Sequence, residues 1–293
     1  MTQSRKVTRP ASGAADTDPS PRLRRPATDG RERRPSTGAA HPALTARSVV
    51  ASTLLGMRPP RLPAALLVRS GELFGIAEGT TRVALSRMVA AGELEPDEGG
   101  YRLAGPMLAR QERQDQSRRP PSPRWNGSWR MAVVHPQRRS AVARADLRQA
   151  MHRLQLAEHR DGVWLRPDNL PADRAPDAQA VADAQCSWLT ARPDDDPAAL
   201  AATLWELDAW ASEAETLRAE LAEHLPAVDG GDTSALAPGF VLDAAVVRHL
   251  LADPRLPDSL VASSWPGAAL RADFERYDRA YKAIWRTWFR AQR

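Results

Sequence analysis

The 293-residue chain predicts an α+β protein in three parts: three helices closed by a strand ribbon, a small α/β sandwich, and a helical C-terminal region. Three observations predict this. Apolar residues recur at helical spacing in three short segments after Leu44, followed by a turn-rich stretch with strand patterning. Between Trp125 and Asp195, short apolar runs bounded by Gly, Pro and Asn flank one amphipathic segment. From Asp196 onward, helical spacing dominates to the end.

Residues 1–43 are rich in Pro, Arg, Ser, Thr, Gly and Ala and nearly lack large apolar side chains. They bury too little to offset ordering entropy and are expected to be a disordered basic tail. ALTARSVVASTLLGM then reads as a first helix, with Thr45 as N-cap and an end at Gly56. RPPRLP is a breaker. PAALLVRSGELFGI fits a second helix ending at Gly71 or Gly75. TTRVALSRMVAAGEL is a third, with Thr81, Ala84, Leu85, Met88 and Val89 on one face and Arg82, Val83, Ser86 and Arg87 on the other. Ala77 offers no capping side chain, and Thr80 caps one turn later if the helix starts late. Gly92 stops it. Leu94 and Tyr101 to Leu103 then pair as two short strands around PDEGG. Three helices and a two-stranded ribbon, in this order over residues 44–104, make a winged helix-turn-helix.

Residues 105–124 read as a helical linker ending in Pro- and Arg-rich coil. Asn126-Gly127 is a turn before the apolar strand Met131 to Val134. ARADLRQAMHRLQL is an amphipathic helix with Leu147, Ala150, Met151 and Leu154 inward. GVWLRP is a strand halted by Pro167, and AQCSWLTA another. With the helix that follows, residues 125–195 suggest a ferredoxin-like α/β sandwich. PAALAATLWELDAWASEAETLRAELAEHL reads as one long helix opened by Pro197, which begins a helical domain over 196–293.

The net charge of +5 is unevenly spread. Residues 1–40 hold nine basic against four acidic side chains, leaving 32 of each beyond. Gly105 to Arg139 holds eight arginines and two acids, whereas Pro171 to Asp232 holds 14 acids and three arginines. An anionic partner meets the first half. Cys186 is the only cysteine, so no internal disulfide forms, and no apolar run approaches the roughly 20 residues of a membrane span. A cytoplasmic protein without membrane contact is expected.

Enzyme chemistry finds little foothold. The six histidines, His41, His135, His152, His159, His224 and His249, form no HExxH pattern, and no glycine-rich phosphate loop or Gly-x-Ser-x-Gly elbow occurs. The Asp194-Asp195-Asp196 run between two prolines reads as a solvated helix start. No catalytic residue, metal site or cofactor is expected.

The binding chemistry is more legible. On the third helix, Arg82 and Arg87 can donate paired hydrogen bonds to guanine edges or phosphates, with Ser86 and Val83 between them and Thr80 near the helix start. Tyr101 and Arg102, on the ribbon, reach flanking phosphate or the minor groove. Trp125, Trp129, Arg130, Trp164 and Arg166 offer flat rings for an aryl or adenine group and guanidinium forks for phosphates. Aromatic residues at strand starts are more often core, and the same tryptophans can serve as that instead. His249 and Trp265 line a pocket or a dimer seam.

Three stretches, TTRVALSRMVAAGEL, WNGSWRMAVV with GVWLRP, and VVRHLLADPRLPDSLVASSWPG, together resemble the PaaX-type family of transcriptional regulators, named for the repressor of phenylacetic acid degradation. The resemblance covers about residues 44–293. It implies a homodimeric winged-helix repressor with a ferredoxin-like middle and a helical C-terminal domain for effector and partner. It further implies release from double-stranded operator DNA by an aryl-acyl-CoA thioester such as phenylacetyl-CoA. Two alternatives remain open at this level: a ligand-independent nucleic-acid-binding or scaffold protein and, more remotely, a metal-dependent nuclease built on the ferredoxin-like part.

Overall fold

The computed structural model describes residues 44–120, 125–136 and 138–292. The expected basic tail and the Pro-rich stretch 121–124 lie outside the described residues. The described chain is α+β, with helices predominating over two small antiparallel sheets.

Helix α1 (Ala46–Gly56) starts at Thr45, whose hydroxyl accepts the Ser48 N–H (3.1 Å) while Ser48 Oγ accepts the Thr45 N–H (2.9 Å). This reciprocal cap satisfies two otherwise orphaned donors. Strand β1 (Arg61–Pro63) follows, then α2 (Ala64–Leu73), α3 (Glu78–Ala90), β2 (Leu94–Asp97) and β3 (Gly100–Leu103). The sheet order is β1-β3-β2, so β3 is central and the ribbon has three strands rather than the two expected. Three residues among prolines carry no readable period; β1 exists because β3 offers it a second edge. Val50, Leu54, Leu67, Leu85, Met88, Leu94 and Leu103 form the core beneath this sheet.

Two glycines here serve close approach. Helix α2 runs through Gly71, where a Cβ would lie 2.4 Å from Thr81 Oγ1, so the glycine lets α2 and α3 touch instead of ending α2. At Gly100 a Cβ would lie 2.1 Å from the Leu62 carbonyl oxygen and 2.6 Å from Pro63 Cα. Those are backbone atoms and cannot rotate away. Gly100→Ala is therefore expected to push β1 off β3 and cost about 1–3 kcal/mol, read as a lower thermal midpoint; an unchanged midpoint would mean that β1 does not sit against Gly100.

Helix α4 (Gly105–Arg118) begins with Met107 in this first core and ends against the C-terminal helices. The middle part runs β4 (Trp129–Val134), α5 (Ala141–Arg153), β5 (Ala157–Arg160), β6 (Val163–Pro167), α6 (Pro176–Asp183) and β7 (Cys186–Ala191). Its sheet order is β5-β6-β4-β7, antiparallel throughout. The inward face of α5 is as expected, with Leu147, Ala150, Met151 and Leu154 buried. Two elements were not expected. Strand β5 lies at the sheet edge with three exposed residues in four, so it shows no alternation, and α6 buries only Ala178 and Ala182.

The C-terminal helices are α7 (Pro197–Leu204), α8 (Leu207–Asp229), α9 (Leu236–Leu251) and α10 (Gly267–Ala291), with one-turn helices at Thr233–Ala235 and Asp258–Leu260. Asp196 caps α7 by accepting the Ala198 N–H (3.1 Å). The expected single long helix is broken at Trp205, which is extended (φ −134°, ψ 144°) and stacks on buried Trp129 with centroids 6.5 Å apart. Packing of the indole overrides local helix preference. Thr233–Leu251 is long and apolar enough by composition to cross a membrane. Its apolar face, including Leu236, Phe240, Val246 and Leu250, is buried against α8 and α10. Val49 and Leu66 join the same core, and Phe74 packs on Phe240 at 4.7 Å between centroids.

Candidate nucleic-acid interface and ligand cavities

Helix α3 is amphipathic as its spacing requires. Thr81, Leu85 and Met88 are buried, whereas Thr80, Arg82, Val83, Ser86 and Arg87 are exposed. It starts at Ala77 with no side-chain cap, so Thr80 stands within its first turn and caps nothing. The exposed arginines differ in their partners. Arg82 bonds Glu78 one turn earlier (2.7 Å), and Ser86 Oγ donates back to the Arg82 carbonyl (3.1 Å). The Arg87 side chain has neither ion pair nor hydrogen bond among the described residues, while its backbone carbonyl accepts from the Ala91 N–H (3.0 Å). On β3, Tyr101 packs on the first core while Arg102 points outward and pairs with Glu95 on β2. Three-stranded register also places Arg61 beside Arg102. Val83 is half exposed with no apolar cover, an apolar contact set between two cations.

The residues expected at an effector site are divided by the central sheet. Period-two alternation sends Trp129 to one face and Arg130, Trp164 and Arg166 to the other. Trp129 is fully buried between Trp125 (6.1 Å, edge-on) and Trp205. On the helix-covered face, Trp164 packs edge-on to His152 (5.8 Å), and the Arg130 guanidinium lies 4.3 Å over the Trp188 ring. Arg166 sits opposite Arg130 in register, donates to the Leu170 carbonyl (3.1 Å), and is pushed down to about 10 by burial and then by Arg174. His249 and Trp265 sit elsewhere, stacked on Trp210 at 4.4 and 4.6 Å. Burial lowers the His249 pKa below the usual histidine value.

A cavity of about 350 Å³ that no local sequence motif announces lies between α1, α4, α9 and α10, within the size range of small-molecule sites. Phe240, Tyr281 and Trp285 supply apolar wall. Its polar side holds Asp278, which accepts from both Arg118 (2.8 Å) and Lys282 (2.7 Å), and Asp243, which has no hydrogen-bond partner among the described residues. Burial, then the nearby Asp278 charge, pushes Asp243 up to about 6. An acid on the inward face of the apolar helix α9 was the available signal.

The end of α4 is held by the turn after α9. Asp253, buried, accepts from Arg271 (2.5 Å) and from the Arg255 N–H (2.7 Å), and its carbonyl accepts from Gln155 (2.7 Å). Arg271 also donates to the Ser117 carbonyl (3.1 Å), and Arg255 to that of Gln116 (3.0 Å). The LADPRLPD stretch thus joins α4, the central part and α10 at one point.

Residues 45–107 match the family described as PaaX-like protein, and residues 205–291 match the PaaX-like protein C-terminal domain. The chain belongs to the PaaX-like family. PaaX-like proteins are DNA-binding transcriptional regulators. The matched segments of this PaaX-like chain are those that carry the α3 face and the Asp253 turn. A solved structure titled "Uncharacterized protein Rv0674 from Mycobacterium tuberculosis" is 43% identical, covering 82% of this chain and 97% of that one with a TM-score of 0.64. No curated protein matches this PaaX-like chain.

Proposed function

We propose that this regulator is a homodimeric repressor that reads operator DNA through α3 and is released by an aryl-acyl-CoA thioester, phenylacetyl-CoA or a close relative. The carrying observation is the exposed face of α3, where Arg82, Val83, Ser86 and Arg87 stand clear of a helix anchored by Thr81, Leu85 and Met88. Three helices followed by β2 and β3 support a winged helix-turn-helix with α3 in the major groove and Arg102 at the flanking backbone. The β-α-β-β-α-β order of the middle part supports a ferredoxin-like sandwich. Two-fold symmetry would set two half-sites about one helical turn apart, or a multiple of it.

Release is a population shift: the thioester acts only by binding better to the conformer with misplaced recognition helices. The aromatic cavity beneath α4 supports a place for the acyl group, since α4 and α1 wall it and both belong to the unit that holds α3.

Arg87 donates to DNA without first leaving an acid, whereas Arg82 must release Glu78. Arg87→Ala is therefore expected to weaken operator binding by about 1–3 kcal/mol, more than Arg82→Ala does. Glu78→Gln, which frees Arg82, is expected to tighten binding to any duplex. Fluorescence anisotropy with operator and scrambled duplexes reads both. No binding to any duplex at low salt, or equal loss from Arg87→Ala and from a distant surface arginine, would end this reading.

A further inference from the structure

Arginines crowded into one cleft repel each other unless acids or a ligand neutralise them. Arg113 on α4, Arg153 on α5, Arg174 before α6 and Arg255 after α9 line a single cavity of about 250 Å³. Among the described residues only one carboxylate bonds any of the four guanidinium groups, Asp177 on Arg153 (2.6 Å). Asp253, nearby in sequence to Arg255, already has its charge matched by Arg271.

The remaining bonds go to neutral acceptors. Arg174 donates to Gln155 Oε1 (2.6 Å) and to the Arg153 carbonyl (2.7 Å), and Arg255 to the Gln116 carbonyl (3.0 Å). The Nε atoms of Arg153, Arg174 and Arg255 are all buried without an acceptor. Those Nε atoms are themselves closed off from the cavity, but three guanidinium groups with an unmet donor and a single carboxylate among them carry largely unneutralised positive charge into the cavity they line. Burial, followed by the charge of Arg255, holds Arg174 down to about 10. Arg113 and Arg255 are likewise lowered, by burial first and then by Arg153 and Arg271 respectively. Two rim residues, Gln155 (φ 58°) and Arg255 (φ 55°), hold left-handed backbone without being glycine, a strain found where surrounding structure fixes a site.

We propose that this cleft binds a small phosphorylated anion, its phosphoryl oxygens taken by the forks of Arg113, Arg153, Arg174 and Arg255. Guanidinium groups match phosphate oxygens in pairs, and the volume suits one or two phosphoryl groups on a small body. The occupant would bridge α4, α5 and the Asp253 turn. Its effect on DNA rests on the reading of α3 given above; its binding does not.

Calorimetry and thermal unfolding of the full chain without DNA, at fixed ionic strength, test this with sodium pyrophosphate, phosphate and ADP as probes. Pyrophosphate or ADP is expected to raise the unfolding midpoint. Arg113→Gln with Arg153→Gln is expected to weaken probe binding about tenfold or more, equivalent to about 1.4 kcal/mol. Without probe, that double variant is expected to unfold at the same temperature or higher, since repulsion has been relieved. Equal responses in both proteins, no response in either, or early unfolding of the probe-free variant would overturn the assignment. A shift produced by duplex DNA alone and lost in the double variant would give these arginines to the DNA backbone and overturn it too.

Discussion

Arg271→Ala is expected to lower the free energy of unfolding by about 3–5 kcal/mol, the cost of leaving one member of a buried ion pair without its partner. Arg271 and Asp253 are 7% and 2% exposed, so water cannot replace the lost guanidinium. Every nitrogen of Arg271 is used: Nη2 on Asp253 (2.5 Å), Nε on the Ser117 carbonyl (3.1 Å) and Nη1 on the Gly267 carbonyl (2.9 Å). Truncation strands an acid and frees the end of α4 together. For a chain of this size the midpoint should fall by about 2–4 °C per kcal/mol. Adding Asp253→Asn to Arg271→Met removes both charges and should recover part of the loss. Equal losses in the single and double variants would mean that the stranded charge is not the cause.

Asp243→Asn is expected to stabilise the protein by about 3 kcal/mol at pH 8 and to change nothing near pH 4. The carboxyl faces Asp278, Arg118 and Lys282, with the hydroxyls of Tyr277 and Tyr281 close by. Burial and Asp278 outweigh the two cations and raise it from 3.8 to about 6. At about 1.4 kcal/mol per unit, this two-unit rise gives the magnitude. Between pH 4 and pH 6 the native state holds a proton that the unfolded chain has released, so stability falls as pH rises and the loss is complete above pH 6. Asparagine has no such proton. The difference between variant and parent midpoints across pH 4–8 measures it, and a pH-independent difference would assign the effect to shape alone.

Much of the candidate interface was legible because it is local. Helix α3 follows from apolar residues three and four apart, and the same spacing sends Arg82 and Arg87 outward. Where the helix begins was less legible, since no side chain caps it at Ala77. The expected effector cluster was less well read: Trp129 and Arg130 adjoin in sequence, yet alternation along β4 sends them to opposite faces. The meeting of Asp243, Arg118 and Lys282 leaves no mark in the sequence, because α4 lies far along the chain from α9 and α10.

The helical periods, the cap at Thr45, the stop at Gly92 (φ +68°) and the inward face of α5 follow from residue order alone, all set by neighbours within a turn or two. Long-range packing makes Arg61–Pro63 a strand, breaks a helix at Trp205 to reach Trp129, and lets Asp253, through Arg271, tie α4 to α10. Each of these depends on a partner remote in sequence: Arg102 for Arg61, Trp129 for Trp205, and Ser117 for the Arg271 that Asp253 holds. The contact energy that overrides local preference there exists only once the chain has closed on itself.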